Sequence, residues 1–156
     1  MGEIYQATLQ FLKDDEWPHE EIDAFPALRT AFEGQNARWD CFARPLDDDD
    51  QLIFYSLCPE LIPVNQRAQV MEYITRANFG LRMGNFEMNP DDGELRFKTS
   101  LDAEGVTPPQ EMIKAVIYGN VTTMDIYLPG VLAILHADAT PIQALSDVEA
   151  LPTALA

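Results

Sequence analysis

Cysteine is scarce in this chain: Cys41 and Cys58 are the two among 156 residues, too few to staple a small secreted domain. Histidine is as sparse, and solitary His19 and His136, with no clustered thiols, offer no structural zinc site. Cations number ten against 26 acidic side chains, and the resulting charge of -16 disfavours general adhesion to nucleic acid or anionic lipid. Long apolar runs are missing too. Leu128 to Leu135, the most apolar stretch, is broken by Pro129 and Gly130 and falls far short of the ~20 residues that span a bilayer. With no cationic segment leading into an apolar signal, the expectation is a reduced, cytoplasmic protein that does not engage a membrane.

Catalytic groupings are also absent from the pattern. No glycine-rich loop would cradle a phosphate, and Ser56, Ser100 and Ser146 stand outside any nucleophile-elbow motif. Neither cysteine has a basic activator nearby in sequence. Cys41 alternates with core aromatics and reads as a small hydrophobe, while Cys58, at a strand end before Pro59, is the better candidate for a reactive thiol of the two, although inertness is the expectation for both. The run Asp47–Asp50 lacks the spaced ligands and fixed glycine of a calcium loop and reads as a solvated turn. Where acids are this plentiful, no single carboxylate pair stands out for acid–base work. The expectation is a non-enzyme with no catalytic residue, metal or cofactor.

What the chain does contain is a foldable pattern, 47% hydrophobic and 23% charged, within the range of ordinary globular domains. Ile4, Ala7, Phe11 and Leu12 recur at helical spacing, so Glu3 to Lys13 predicts an amphipathic helix that ends before Pro18. The acidic stretch to Asp23 reads as an extended connection. From Ala27 the spacing changes to alternation, with Leu28, Thr30 and Phe32 opposed to Arg29, Ala31 and Glu33. A second strand sets Trp39, Cys41 and Ala43 against Arg38, Asp40, Phe42 and Arg44. The third, Leu52 to Leu57, is apolar on both faces and is expected at the sheet centre or covered on both sides. Turns fall at Gly34-Gln35-Asn36 and at Asp47–Asp50.

Asn65 is expected to cap the next helix, which carries Val70, Met71, Ile74 and Ala77 and closes at Asn78-Phe79-Gly80 through residues tolerant of left-handed backbone. A hairpin follows, with arms near Leu81–Met88 and Glu94–Leu101 around Asn89-Pro90-Asp91-Asp92-Gly93. Thr107 and Pro108 are positioned to start the last long helix, whose stripe runs through Ile113, Ile117, Val121, Met124 and Leu128 until Pro129 kinks or restarts it. The pattern predicts an α+β fold with a single antiparallel sheet of about five strands packed on helices, in the order α-βββ-α-ββ-α. One domain covers 1–138, and 139–156 forms a tail that is either loose or a short helix opened by Thr140-Pro141.

The segment Asn78-Phe79-Gly80-Leu81-Arg82-Met83-Gly84-Asn85-Phe86-Glu87, with Asp92-Gly93-Glu94 and Arg96-Phe97-Lys98-Thr99-Ser100, resembles the YbjN family of bacterial proteins. Shorter pieces extend the likeness from about Trp17 to Leu135: Pro26-Ala27-Leu28-Arg29, Phe54-Tyr55-Ser56, Cys58-Pro59 and Tyr127-Leu128-Pro129. The resemblance implies a type III secretion chaperone-like fold and a chaperone-like or regulatory role. It transfers no catalytic residue. Each piece also has a structural reading, Gly84 as a bulge or close backbone approach and Asn78 as a helix end.

Half of the ten cations, Arg29, Arg38, Arg44, Arg96 and Lys98, occupy strand positions opposite the apolar set. Strands lie about 4.8 Å apart, so these side chains fall within one Debye length of each other. Cross-strand pairing with Glu33, Asp40, Glu87 and Glu94 would neutralise them. Otherwise Arg29, Arg38, Phe42, Arg44, Arg96 and Lys98 form a partner-binding face for a protein or peptide and not for nucleic acid. A homodimer through the apolar stripe of the last helix is a further expectation. The alternative is a small-ligand-binding or enzymatic domain with a pocket between the sheet and that helix, near Tyr118, Asn120 and Tyr127.

Overall fold

Six antiparallel strands form one sheet in the order β1-β2-β3-β4-β6-β5 in the computed structural model, which describes residues 2–150. The strands are β1 (His19–Ile22), β2 (Ala27–Glu33), β3 (Arg38–Leu46), β4 (Gln51–Leu57), β5 (Asn85–Met88) and β6 (Leu95–Asp102). Four helices complete the fold: α1 (Glu3–Asp14), α2 (Arg67–Gly80), α3 (Gln110–His136) and α4 (Pro141–Ala150). The sheet has one strand more than the alternation predicts, because the acidic connection pairs with β2 from His19↔Thr30 to Ile22↔Ala27. Charged His-Glu-Glu-Ile is the composition of a short edge strand, and periodicity does not reveal such a strand. Thr140 and Pro141 do open a helix, which packs on α2 and α3; positions 151–156 lie outside the described residues.

Alternation decides which face the helices cover. Leu28, Thr30, Trp39, Cys41, Ala43, Leu52, Phe54, Ser56, Leu95, Phe97 and Thr99 are all buried on one side of the sheet. Trp39, Phe54 and Phe97 are at most 2% exposed, and burying each such side chain contributes about 2–3 kcal/mol. Phe32 packs half-buried against this core, between Trp17 and Trp39. The apolar stripe of α3, from Ile113 to Leu128, lies wholly inside the same core. It is covered by its own chain and does not require a second copy, so the expected ground for a homodimer is removed.

Several helix ends differ from expectation. Asn65 lies in a short 3-10 turn, Val64–Gln66, and α2 starts at Arg67 without a side-chain cap. The adjacent Gln66 amide bridges to the carbonyls of Ile134 and Leu135 instead. α3 begins at Gln110, again uncapped, because Pro109 at its N-cap has no side-chain acceptor; Thr107, two residues earlier, donates its hydroxyl to the Glu3 carboxylate. α2 ends at Gly80 without left-handed backbone. Asn78 uses its amide elsewhere, donating to the Phe86 carbonyl (2.9 Å) and accepting from the Phe86 N–H (2.7 Å), which blocks part of the β5 edge. Gly84 has φ of 78°, and a Cβ there would stand 2.7 Å from the Lys98 carbonyl. It is therefore a close approach just ahead of β5.

The acidic turn is structural. Asp47 accepts from the N–H groups of Gly2, Ile4 and Tyr5 at 2.9–3.2 Å, so a residue more than forty positions away caps the positive end of α1.

Pro129 neither restarts nor ends α3. A proline inside a helix leaves the carbonyl four residues back without a donor. Here that carbonyl, of Asp125, accepts from Asn36 Nδ2 at 3.1 Å, and the Asp125 carboxylate accepts from the N–H of Gln35 at 3.1 Å. Next to it, the buried Tyr73 hydroxyl donates to the Tyr127 carbonyl at 2.7 Å. A Cβ on Gly130 would stand 2.1 Å from that hydroxyl. Pro129-Gly130 is thus the place where α2 and the β2–β3 turn reach the backbone of α3.

Candidate functional site

Between sheet and α3, where the alternative reading places a pocket, the space is filled. Asn120 is fully buried. Its Nδ2 donates to the carbonyls of Phe54 (2.9 Å) and Phe97 (3.0 Å) and to Thr99 Oγ1 (3.2 Å). Its Oδ1 accepts from Ser56 Oγ at 2.6 Å, and Ser56 in turn accepts from Trp39 Nε1 at 2.9 Å. This network ties α3 to β3, β4 and β6, and no buried side-chain polar atom among the described residues lacks a partner. Tyr118 donates to Asp15, and Tyr127 donates to Glu149 at 2.9 Å. Burial, then its bond to Glu149, pushes the Tyr127 hydroxyl up to about 12.

The opposite face of the sheet carries all six residues expected to bind a partner. Register places Arg29, Phe42, Tyr55 and Lys98 in one row across β2, β3, β4 and β6. Arg44 sits opposite Ile53, and Arg96 opposite Leu57. Ile53, Tyr55 and Leu57 are half-buried and stand outside the helix-covered core. The apolar second face of β4 therefore belongs to a strand that is central in the sheet but covered on one side.

Neutralisation across strands is partial. Arg29 pairs with Asp40 at 2.7 Å, while Arg96 (2.6 Å) and Lys98 (3.1 Å) share the one carboxylate of Glu87. Partial burial pushes Glu87 up, but the hydrogen bonds from Lys98 and Arg96 outweigh it and hold the carboxyl below its ordinary range. The Arg96 guanidinium also lies 4.2 Å over the Tyr55 ring, a stacked cation–π arrangement. Arg38 and Arg44 make no ion pair among the described residues, and neither do Glu33 and Glu94.

A groove of about 680 Å³ opens on this face. Phe42, Tyr55 and Leu57 form its apolar floor, Phe25 and Pro26 of the β1–β2 turn one wall, and Arg44, Glu94 and Arg96 its charged rim. Of the six expected residues, the groove gathers Phe42, Arg44 and Arg96. Arg29 and Lys98 flank it, and Arg38 lies apart at the β2–β3 hairpin end. Sequence reasoning missed Phe25, Tyr55 and Leu57. The apolar second face of β4 was the available signal for two of them, whereas Phe25, 52% exposed, lies in a turn without periodicity.

Nucleophiles and metal-binding groups stand elsewhere. Burial pushes the Cys41 thiol up to about 12 and that of Cys58 to about 11, well above the range of an activated thiolate. Among the described residues, no three His, Cys, Asp or Glu side chains converge on a metal position. No helix among them is long and apolar enough to cross a membrane.

A six-stranded antiparallel sheet covered by helices on one face is the secretion-chaperone-like α+β class. The crystal structure of the ExsC–ExsE complex superposes with a TM-score of 0.52 at 12% identity, covering 82% of this chain and 95% of that one. The crystal structure of YbjN from E. coli, described as a putative transcription regulator, superposes with 0.61 at 13% identity, covering 85% and 92%. The HopA1–SchA chaperone–effector complex gives 0.47 at 16% identity, with 78% and 91% covered. This chain belongs to the YbjN family: the model described as "Putative bacterial sensory transduction regulator" matches residues 9–117. No curated protein sequence matches it significantly.

Proposed function

We propose that this chain is a non-catalytic protein-interaction domain, chaperone-like or regulatory, that works in the cytoplasm and holds a protein or peptide partner on the uncovered face of its sheet. The observation that carries the reading is the groove itself. Aromatic and aliphatic side chains are left half-exposed there and framed by Arg44 and Arg96, while the opposite face is sealed. Large side chains left uncovered beside guanidinium groups are the composition of recognition surfaces. ExsC, of the same fold, is solved with ExsE bound, which supports a partner-holding role. Capture from native lysate with the wild-type chain, against Arg38→Glu/Arg44→Glu, tests it. Loss of the same partner with unchanged melting is expected, and undiminished capture overturns it.

Self-association is a second part of the reading. Phe79 and Met83, 96% and 74% exposed, lie at the end of α2 and in the turn after it, away from the groove. Sedimentation is expected to report a dimer weakened by Phe79→Ser, and a monomer at working concentrations removes this part.

A further inference from the structure

We infer that the groove selects an extended partner segment in which carboxylates flank an aromatic or aliphatic residue. This rests on the partner-holding reading above and adds the chemistry of what is held.

Length is the first ground. The lining runs from Ala27 on β2 across β3 and β4 to Arg96 on β6. Three strand spacings make about 14 Å, the reach of about four extended residues. The volume falls within the range of built ligand sites, yet the groove is open, so it suits a segment lying across the strands.

Charge is the second. The chain carries -16 overall, but this patch runs the other way. Arg44 has no carboxylate partner among the described residues, Arg96 and Lys98 divide one carboxylate between them, and Glu94 is the single acid of the lining. An arriving carboxylate would give Arg44 the charge-assisted bond it lacks. Glu21, Asp23, Asp47, Asp48 and Asp49 line the adjoining hollow behind Phe25, Pro26, Pro45 and Leu46, so the cationic excess belongs to the Arg44–Arg96 side of the groove, where screening over about 8 Å limits the reach of acids further off. Between the cations, Phe42 and Tyr55 offer apolar contact to the residue that separates the carboxylates.

Charge also argues against a second copy as occupant. A two-fold contact through this face would bring two such patches together, with Glu94 the one acid of each lining to answer the other copy's Arg44 and Arg96.

The test titrates three synthetic peptides into the isotope-labelled full chain: one alternating Glu with Phe, one alternating Lys with Phe, and one alternating Glu with Ser. Amide shifts are followed in the wild type, in Arg44→Glu and in the milder Arg44→Ala, with melting as the check on folding. The Glu/Phe peptide is expected to shift the amides of Phe42, Arg44, Tyr55 and Arg96, and Arg44→Glu to weaken it about tenfold or more. The two control peptides are expected to bind at least about tenfold more weakly. Equal binding of the Lys/Phe peptide, shifts centred on Phe79 and Met83, or no binding up to about 1 mM would overturn the inference. So would a dimer that Arg44→Glu dissolves. A partner lost on Arg44→Glu but lacking acidic segments overturns the stated chemistry and leaves the broader reading standing. A partner held equally well by every variant of this face overturns both.

Discussion

On the covered face of the sheet, Trp39, Phe54 and Phe97 are nearly free of solvent, and the polar atoms among them are joined through Asn120. On the other face, Phe42, Tyr55 and Leu57 remain half-buried beside Arg44, which pairs with no carboxylate among the described residues. The two faces share strands and registers and differ in what lies over them. Substitution on the covered face leaves orphaned groups or steric conflict with no escape to water, whereas water takes up the loss on the other. Stability should therefore depend on one face and recognition on the other.

Asn120→Ala should break that division hardest from the covered side. It takes the acceptor from Ser56 Oγ and the side-chain donor from the Phe54 and Phe97 carbonyls in a dry interior, at a cost of about 3 kcal/mol and a melting temperature about 10 °C lower. A loss under about 1 kcal/mol would mean that water reaches the site. Gly130→Ala is next. Its methyl group meets the buried Tyr73 hydroxyl, and displacing that hydroxyl from the Tyr127 carbonyl should cost about 2 kcal/mol in denaturant unfolding.

At the open face, Glu87→Gln should cost about 0.5–1 kcal/mol at neutral pH, as expected for a solvent-screened ion pair. The folded-state pKa of Glu87 lies below its ordinary value. Its contribution is therefore present above that ordinary value and is lost as pH falls through the depressed one. Unfolding curves of variant and wild type should converge in acid, and a gap independent of pH would assign the loss to packing. The smallest stability effect belongs to Arg44→Glu, within about 0.5 kcal/mol of wild type, although this variant should lose the partner.

Much of this contrast is legible in the sequence, because a period of two sorts side chains by face. Alternation in Leu28-Arg29-Thr30 and Trp39-Asp40-Cys41 places the arginines opposite the core, as observed. Distant partners hide the rest. Glu87 takes both Arg96 and Lys98 only because β5 pairs with β6 in one register. Asp47 caps a helix more than forty residues earlier in the chain. Pro129 reads locally as a break, and the bond from Asn36 that sustains the helix there joins residues 89 positions apart. β1 and Phe25 escape for a different reason: a four-residue charged edge strand and a turn carry no period to detect.

Three lysines make the decisive measurement simple, since Lys98 lies on the open face whereas Lys13 and Lys114 are exposed on helices α1 and α3. Amine acetylation of the chain with its captured partner, read by mass spectrometry against the free chain, should show Lys98 protected while Lys13 and Lys114 react as before. Protection of Lys13 or Lys114 with Lys98 reacting as in the free chain would move recognition to the helices and contradict the division of labour between the two faces.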